Sequence, residues 1–150
     1  MANVKLGNHP SWAGQTVEKL DSTKQLGRSD SGKVFMIDNT SAFTINLPKL
    51  SANIAGWSCK MIVQVNGNAD VSVVAHGLPA AGGTTNDSET VQYREMPLGD
   101  EAGSIVADAD GFTINAASII SDTWDVFTDG TSWFVTAVVD EIAFSTSIDS

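Results

Sequence analysis

Alternating apolar and polar residues between Gly32 and Ala75 restrict the fold more strongly than any other feature of the sequence. Phe43, Ile45 and Leu47 alternate with polar residues, which is the period of a strand with one buried face. Residues that favour turns separate four apolar runs of this kind: 34–37, 43–47, 57–65 and 71–75. The pattern predicts two successive β-hairpins, one over 34–47 and one over 57–75, and leaves little room for helix.

A further hairpin is predicted over residues 122–139. Apolar residues alternate with polar ones on both sides of Asp129-Gly130-Thr131, a sequence that favours a tight turn. Trp124 precedes this turn and Trp133 follows it, so we expect an aromatic contact across the two strands. The tail over 142–148 is expected to add a last strand or to lie against a neighbouring subunit.

These patterns predict an all-β fold, either a β-sandwich or a β-tulip-like barrel of antiparallel hairpins with an extended N-terminal arm. The 150 residues suit a single β domain over 32–150. Small and turn-forming residues predict a long loop over about 76–110, in which Thr90–Tyr93 forms a short edge strand. Long loops in compact domains are often functional, and this loop is a candidate contact surface.

Residues 1–31 are expected to form the N-terminal arm. One helical turn over Gln15–Leu20 is conceivable there, but a single turn is marginal without tertiary support. The N-terminus lacks the apolar core and cleavage site of a signal peptide, and the chain has no apolar run long enough to span a membrane. The sequence therefore predicts a protein made in the cytoplasm, with no membrane partner.

Charge is distributed unevenly along the chain. Residues 1–33 hold five basic and three acidic residues, a net charge of +2, and the remainder holds three basic and fifteen acidic residues, a net charge of −12. Such an acidic body repels phosphate groups, so we expect no nucleic-acid partner. The acidic surface either serves solubility alone, or the basic N-terminal arm docks on an acidic protein surface.

Catalytic and metal-binding patterns are missing from the sequence. His9 and His76 are its two histidines, and it contains no nucleophile elbow, HExxH or CxxC motif. The segment Asp108–Gly111 begins like a calcium loop, but its glycine falls at the fourth position and not at the sixth. Cys59 lies among apolar residues and is expected to be a small buried hydrophobe. We predict no enzyme activity, no metal and no cofactor.

Several segments resemble small virion proteins of tailed bacteriophages. The matching segments are Ser31–Asp38, Phe43–Pro48, a strand that opens at Gly56-Trp57, and Asp129–Val135. They are similar to head decoration (cement) proteins and to β-structured modules of tail and head fibres, over about half of the chain. The resemblance implies a β-sandwich or β-tulip body, commonly trimeric, that binds a capsid lattice or sits on a tail.

The function expected from this resemblance is that of a non-enzymatic capsid decoration protein. It would bind the major capsid protein on the outer head surface of the virion as a homo-oligomer, and stabilise the shell. The residues expected to contact the capsid or a neighbouring subunit are Val4, Lys5, Leu6, Trp12 and Lys19. The alternative is a tail or head fibre module that recognises host surface glycans through an exposed tryptophan, for which Trp12 is the candidate, and the 76–110 loop.

Overall fold

The computed structural model describes residues 15–75, 90–97, 105–140 and 147–148, and these ranges are built of β-strands. The strands are β1 (Val17–Leu20), β2 (Lys24–Gln25), β3 (Val34–Ile37), β4 (Phe43–Asn46), β5 (Ser58–Val63), β6 (Val71–Val74), β7 (Thr90–Pro97), β8 (Ile105–Ala109), β9 (Gly111–Ile114), β10 (Thr123–Thr128), β11 (Ser132–Val139) and β12 (Ser147–Ile148). Short 3-10 helices occupy Arg28–Asp30 and Ala52–Ile54. The predicted all-β character is confirmed.

The strands form two sheets. The large sheet has seven strands in the order β1-β3-β5-β10-β11-β7-β8, and the small sheet has five in the order β12-β9-β6-β4-β2. Neighbours pair in parallel in β1/β3, β3/β5 and β7/β11 of the large sheet and in β2/β4 and β4/β6 of the small one. From β3 to β6 the chain alternates between the two sheets.

This alternation overturns the two hairpins predicted over 34–47 and 57–75. β3 and β5 lie in the large sheet, where they pair with each other in parallel, while β4 and β6 pair in parallel in the small sheet. Turn residues allow the chain to change direction, but they do not decide whether the next strand lies beside the previous one or across the core from it. Here the buried residues of all four strands, except Val74, belong to one hydrophobic cluster.

The hairpin predicted over 122–139 is confirmed. β10 and β11 pair antiparallel, with Val126 opposite Val135 and Phe127 opposite Phe134. The predicted contact between Trp124 and Trp133 across these strands is wrong, because Trp124 lies opposite Ala137 in this register. The indole of Trp133 instead packs on Trp57.

Residues 15–31 belong to the folded body. β1 pairs with β3 in the large sheet, β2 pairs with β4 in the small sheet, and Leu20 and Leu26 are buried. The prediction of an arm is therefore wrong for residues 15–31, and so is the helical turn over Gln15–Leu20. A four-residue segment takes the strand conformation when a sheet edge is available to pair with it. Residues 1–14 lie outside the described residues.

The region predicted as a loop over 76–110 contains two strands of the large sheet. β7 runs for eight residues between β11 and β8, so it is an interior strand and not the short edge strand that was predicted. Val91 and Tyr93 face the core, which explains why this strand is held inside the sheet. Residues 76–89 and 98–104 lie outside the described residues. The tail adds β12 to the small sheet, as one of the two alternatives predicted.

The chain crosses from the large sheet to the small sheet between β8 and β9. Ala75 donates its backbone N–H to the carbonyl of Asp110 at 3.0 Å, which joins the crossing to the end of β6. A Cβ atom on Gly111 would overlap the carbonyl oxygen of Val73, so this close approach of two backbones requires glycine.

Candidate interaction surface

One side of the large sheet carries many apolar side chains that no described part of the chain covers. In β3, Phe35 and Ile37 point into the core, and Val34 and Met36 point to the opposite side, where they are half-buried. We call this side the outer face, and its apolar residues are Val17, Val34, Met36, Ile62, Met96, Ile105, Phe127, Phe134 and Val138. Five of the seven large hydrophobic side chains that are exposed in the described ranges lie on it.

The outward side of the small sheet has different chemistry. Thr44, Ser72 and Thr113 lie next to one another on its three central strands, and all three are half-buried. Their hydroxyl groups can bond to water. The contrast between the two sides makes the outer face of the large sheet the candidate interaction surface, because large exposed apolar patches mark sites of association.

The first half of the outer face is a shallow groove of about 660 Å³ over β1, β3, β5 and β10. Its apolar lining includes Val17, Met36 and Ile62. Across it, Lys60 Nζ lies 3.4 Å from Asp125 Oδ1, so these two charges compensate each other.

Cys59 also borders this groove, and the thiol is buried as the sequence predicted. Burial, followed by the negative charges of Asp125 and Asp30, raises the pKa of the Cys59 thiol well above its usual range. A thiol that stays protonated is a poor nucleophile and a poor metal ligand. Cys59 therefore contributes packing to the core beneath the groove.

The second half of the outer face, over β10, β11, β7 and β8, is aromatic. Phe127 and Phe134 are opposite each other on β10 and β11, with ring centroids 6.2 Å apart. Beside Phe134 lies a depression of about 270 Å³, bordered by Arg94 of β7 and Ile105 of β8. A planar cation next to aromatic and aliphatic side chains is a composition typical of protein interfaces.

Lys19 is the one residue of the predicted contact set that the structure describes. It lies on β1 on the same side as Val17, and its Nζ is 2.7 Å from Asp38 Oδ2. The hydrogen bond from Lys19 lowers the pKa of Asp38, and the same bond raises the pKa of Lys19. Lys19 therefore has an internal counter-ion. The other predicted contact residues, Val4, Lys5, Leu6 and Trp12, lie outside the described residues.

Further N-terminal lysines are used within the fold. Lys33 Nζ lies 2.8 Å from Glu18 Oε2 and 2.6 Å from Asp30 Oδ1, and Lys24 bonds to the other oxygen of Glu18. The hydrogen bonds from Lys24 and Lys33 lower the pKa of Glu18. These pairs tie β1 and β2 to the 3-10 helix at Arg28–Asp30. The basic character of residues 1–33 thus serves internal pairing in the described part.

The described ranges hold no cluster of three or more potential metal ligands. His9 and His76 fall outside them, and so do Trp12 and most of the 76–110 loop, which the glycan alternative requires. Trp57, Trp124 and Trp133 are buried in the core, where they cannot stack on a sugar ring. No helix in the described residues has the length and apolar character needed to cross a membrane.

No family model matches the chain, and no curated protein is significantly similar to it. Sequence reasoning missed the outer face, although a signal for it was present. Val34–Ile37 is apolar at every position, as are Val126-Phe127 and Phe134-Val135. Consecutive apolar residues in a strand indicate that both of its sides avoid water.

Proposed function

We propose that this chain is a non-enzymatic structural protein that binds another protein through the outer face. In the form that its sequence resemblance suggests, it is a capsid decoration protein, which binds the major capsid protein on the outer head surface as a homo-oligomer and stabilises the shell. In this proposal the two sheets are the layers of a β-sandwich. One layer supplies the binding surface and the other, with its hydroxyl-bearing residues, faces water.

The observation that carries the proposal is the apolar outer face. Seven strands at the usual spacing make a surface about 29 Å wide, which is large enough for an extended contact and too open to enclose a small substrate. Phe127, Phe134 and Ile105 are 45%, 41% and 72% exposed, so docking would remove substantial apolar surface from water. An open surface with many apolar side chains favours a binding function over catalysis.

The decisive experiment measures occupancy of undecorated heads of the encoding virus by co-sedimentation. We expect the unmodified chain to saturate the heads and the double variant Phe127→Ser/Phe134→Ser to lose binding. Ser72→Ala, on the outward side of the small sheet, is the matched control and should bind normally. Full occupancy by the double variant would refute the outer face as the docking surface, and no binding by the unmodified chain would refute the decoration role.

A second experiment addresses the N-terminal residues separately. Deleting residues 1–14 removes Val4, Lys5, Leu6 and Trp12 and leaves the described strands intact. If those residues attach the protein to the capsid or to a neighbouring subunit, occupancy or oligomer mass should fall. Unchanged occupancy and mass would rule out an attaching role for this segment and leave the outer face as the binding surface.

A further inference from the structure

Arg94 lies on the outer face of β7, beside the depression that Phe134 and Ile105 border. Val91, Tyr93 and Glu95 of the same strand are buried, so alternation places Arg94 on the opposite side, where it is exposed. It is paired in the sheet with Thr136 on one side and Ile105 on the other, and it borders the same depression as Phe134. It is also the last basic residue of the sequence.

The other basic residues on the strands of this face have counter-ions nearby. Lys19 is held by Asp38 at the end of β3, and Lys60 is held by Asp125 on β10. None of the ion pairs among the described side chains includes Arg94. The chain has eighteen acidic and only eight basic residues. Among the basic residues on the strands of this face, Arg94, beside Phe134 and Ile105, is thus the one without a described ion-pair partner.

The chemistry of this arrangement favours one kind of partner group. A guanidinium forms two parallel hydrogen bonds to a carboxylate, and it can do so while its flat surface stays in contact with aromatic rings. Docking a second protein on Phe134 and Ile105 would remove water from Arg94 as well. A desolvated cation opposite a neutral group is costly, whereas opposite a carboxylate it is compensated.

We propose that Arg94 is the charged anchor of the outer face and binds a carboxylate of the partner protein. The partner surface therefore presents an aspartate or glutamate surrounded by apolar side chains that contact Phe134 and Ile105. This inference rests on the proposed docking through the outer face and adds the chemical identity of the group that is recognised. Arginines with aromatic neighbours often carry a large share of the binding energy in such interfaces.

Binding to undecorated heads at several salt concentrations tests the anchor. We expect Arg94→Gln to weaken binding roughly tenfold to a hundredfold, Arg94→Glu to weaken it further, and Arg94→Lys to restore part of the loss. Arg28→Gln is the matched control, because Arg28 is the only other arginine and lies away from this face. Loss of binding on Phe127→Ser/Phe134→Ser together with normal binding of Arg94→Gln would reject the anchor and keep the proposed function.

A second measurement does not depend on heads. The side-chain Nε–H signals of the two arginines are followed by NMR while the full chain is titrated with a short peptide in which aspartate alternates with leucine and phenylalanine. We expect the Arg94 signal to shift when this peptide is added, and not to shift with a control peptide in which asparagine replaces aspartate. The Arg28 signal should not shift with either peptide. Equal shifts of both arginines, or none, would overturn the proposal.

Two other sources of the carboxylate can be tested: the chain itself and a second copy of the chain. If Asp100→Asn or Glu101→Gln moves the Arg94 signal without any added peptide, the carboxylate comes from the chain itself and the proposal is wrong. If Arg94→Gln lowers the oligomer mass in native solution, the carboxylate comes from a second copy, which overturns the assignment to a different partner protein.

Discussion

Trp133 packs edge-on against Trp57 in the core, with ring centroids 5.4 Å apart and ring planes at 87°. The two indoles differ in their hydrogen bonding. Trp57 donates from Nε1 to the carbonyl oxygen of Gly27 at 3.0 Å, whereas the buried Nε1 of Trp133 has no acceptor within the described chain. The same substitution at the two positions should therefore have different costs.

We predict that Trp57→Phe lowers the free energy of unfolding by about 1 kcal/mol more than Trp133→Phe. Both changes shrink a large aromatic side chain, but the change at Trp57 also leaves the carbonyl of Gly27 without its donor. The change at Trp133 removes a buried N–H that was unsatisfied. Urea unfolding followed by fluorescence of the remaining tryptophans gives both values, and a larger loss for Trp133→Phe would contradict the predicted order.

Gly111→Ala should destabilise the chain by about 3 kcal/mol or more, because the new methyl group would overlap the backbone of β6 at Val73. Gly32→Ala provides the comparison. Gly32 has a φ of +81° but open space around its Cα, so alanine there should cost about 1 kcal/mol from backbone strain alone. Thermal unfolding of both variants measures the difference. Equal melting temperatures would contradict the close approach of the Gly111 backbone to that of Val73.

Asp30 should make stability depend on pH in the acid range. Burial raises the pKa of this carboxyl, but the hydrogen bonds from Lys33 and from the Gly27 N–H and the charge of Lys24 outweigh burial, and the pKa is lowered overall. The folded chain therefore binds fewer protons than the unfolded one, and the stabilisation is present above the ordinary pKa of aspartate and lost as pH falls through the lower folded value.

The variant Asp30→Asn should accordingly be less stable than the parent chain at neutral pH and approach it in strong acid. Asp125→Asn, which affects only the exposed pair with Lys60, should change stability by less than about 0.5 kcal/mol. Denaturant midpoints measured from pH 7 down to pH 2 provide the test. A constant gap between parent and Asp30→Asn at every pH would show that ionisation of Asp30 is not responsible.

Single serine substitutions on the outer face should separate binding from folding. Phe134→Ser removes a side chain that is 41% exposed, so it should lower the free energy of unfolding by only about 1 kcal/mol while binding to the partner falls. Ile120→Ser, at a residue that is 55% exposed but lies outside the outer face, should leave binding unchanged. Equal effects of the two variants on binding would point to general surface hydrophobicity and not to a defined face.

Cys59 should not react with a thiol reagent such as DTNB at pH 8 while the chain is folded. The side chain is 6% exposed, and burial raises the pKa of its thiol, so very little thiolate is present. Reaction should begin only when urea unfolds the chain. Rapid modification of the native protein would show that the groove beside β5 opens far enough to admit the reagent.

The all-β character and the burial of particular side chains were accessible from the sequence. Phe43, Ile45 and Leu47 were expected in the core from their place in a strand pattern, and they are buried there. The β10–β11 hairpin was also accessible, because its strands are joined by a short turn that sets their register. In each case the relevant interactions are local.

The candidate site was much less accessible. The sequence analysis assigned the contacts with the capsid or a neighbouring subunit to N-terminal residues. Of these residues the structure describes Lys19, whose charge is paired with Asp38 of the same chain. The outer face gathers Val17, Arg94 and Phe127, which are far apart in sequence and meet only because their strands lie in one sheet. No local pattern could have shown that these positions share a surface.

Side-chain alternation was enough to establish that this chain forms strands and which side of most strands meets the core, since that period depends on backbone geometry within a few residues. The partner of each strand was settled only in the folded chain. Parallel neighbours such as β7 and β11 are brought together by long-range packing, because burying both sets of apolar side chains in one core outweighs the preference of consecutive strands to pair.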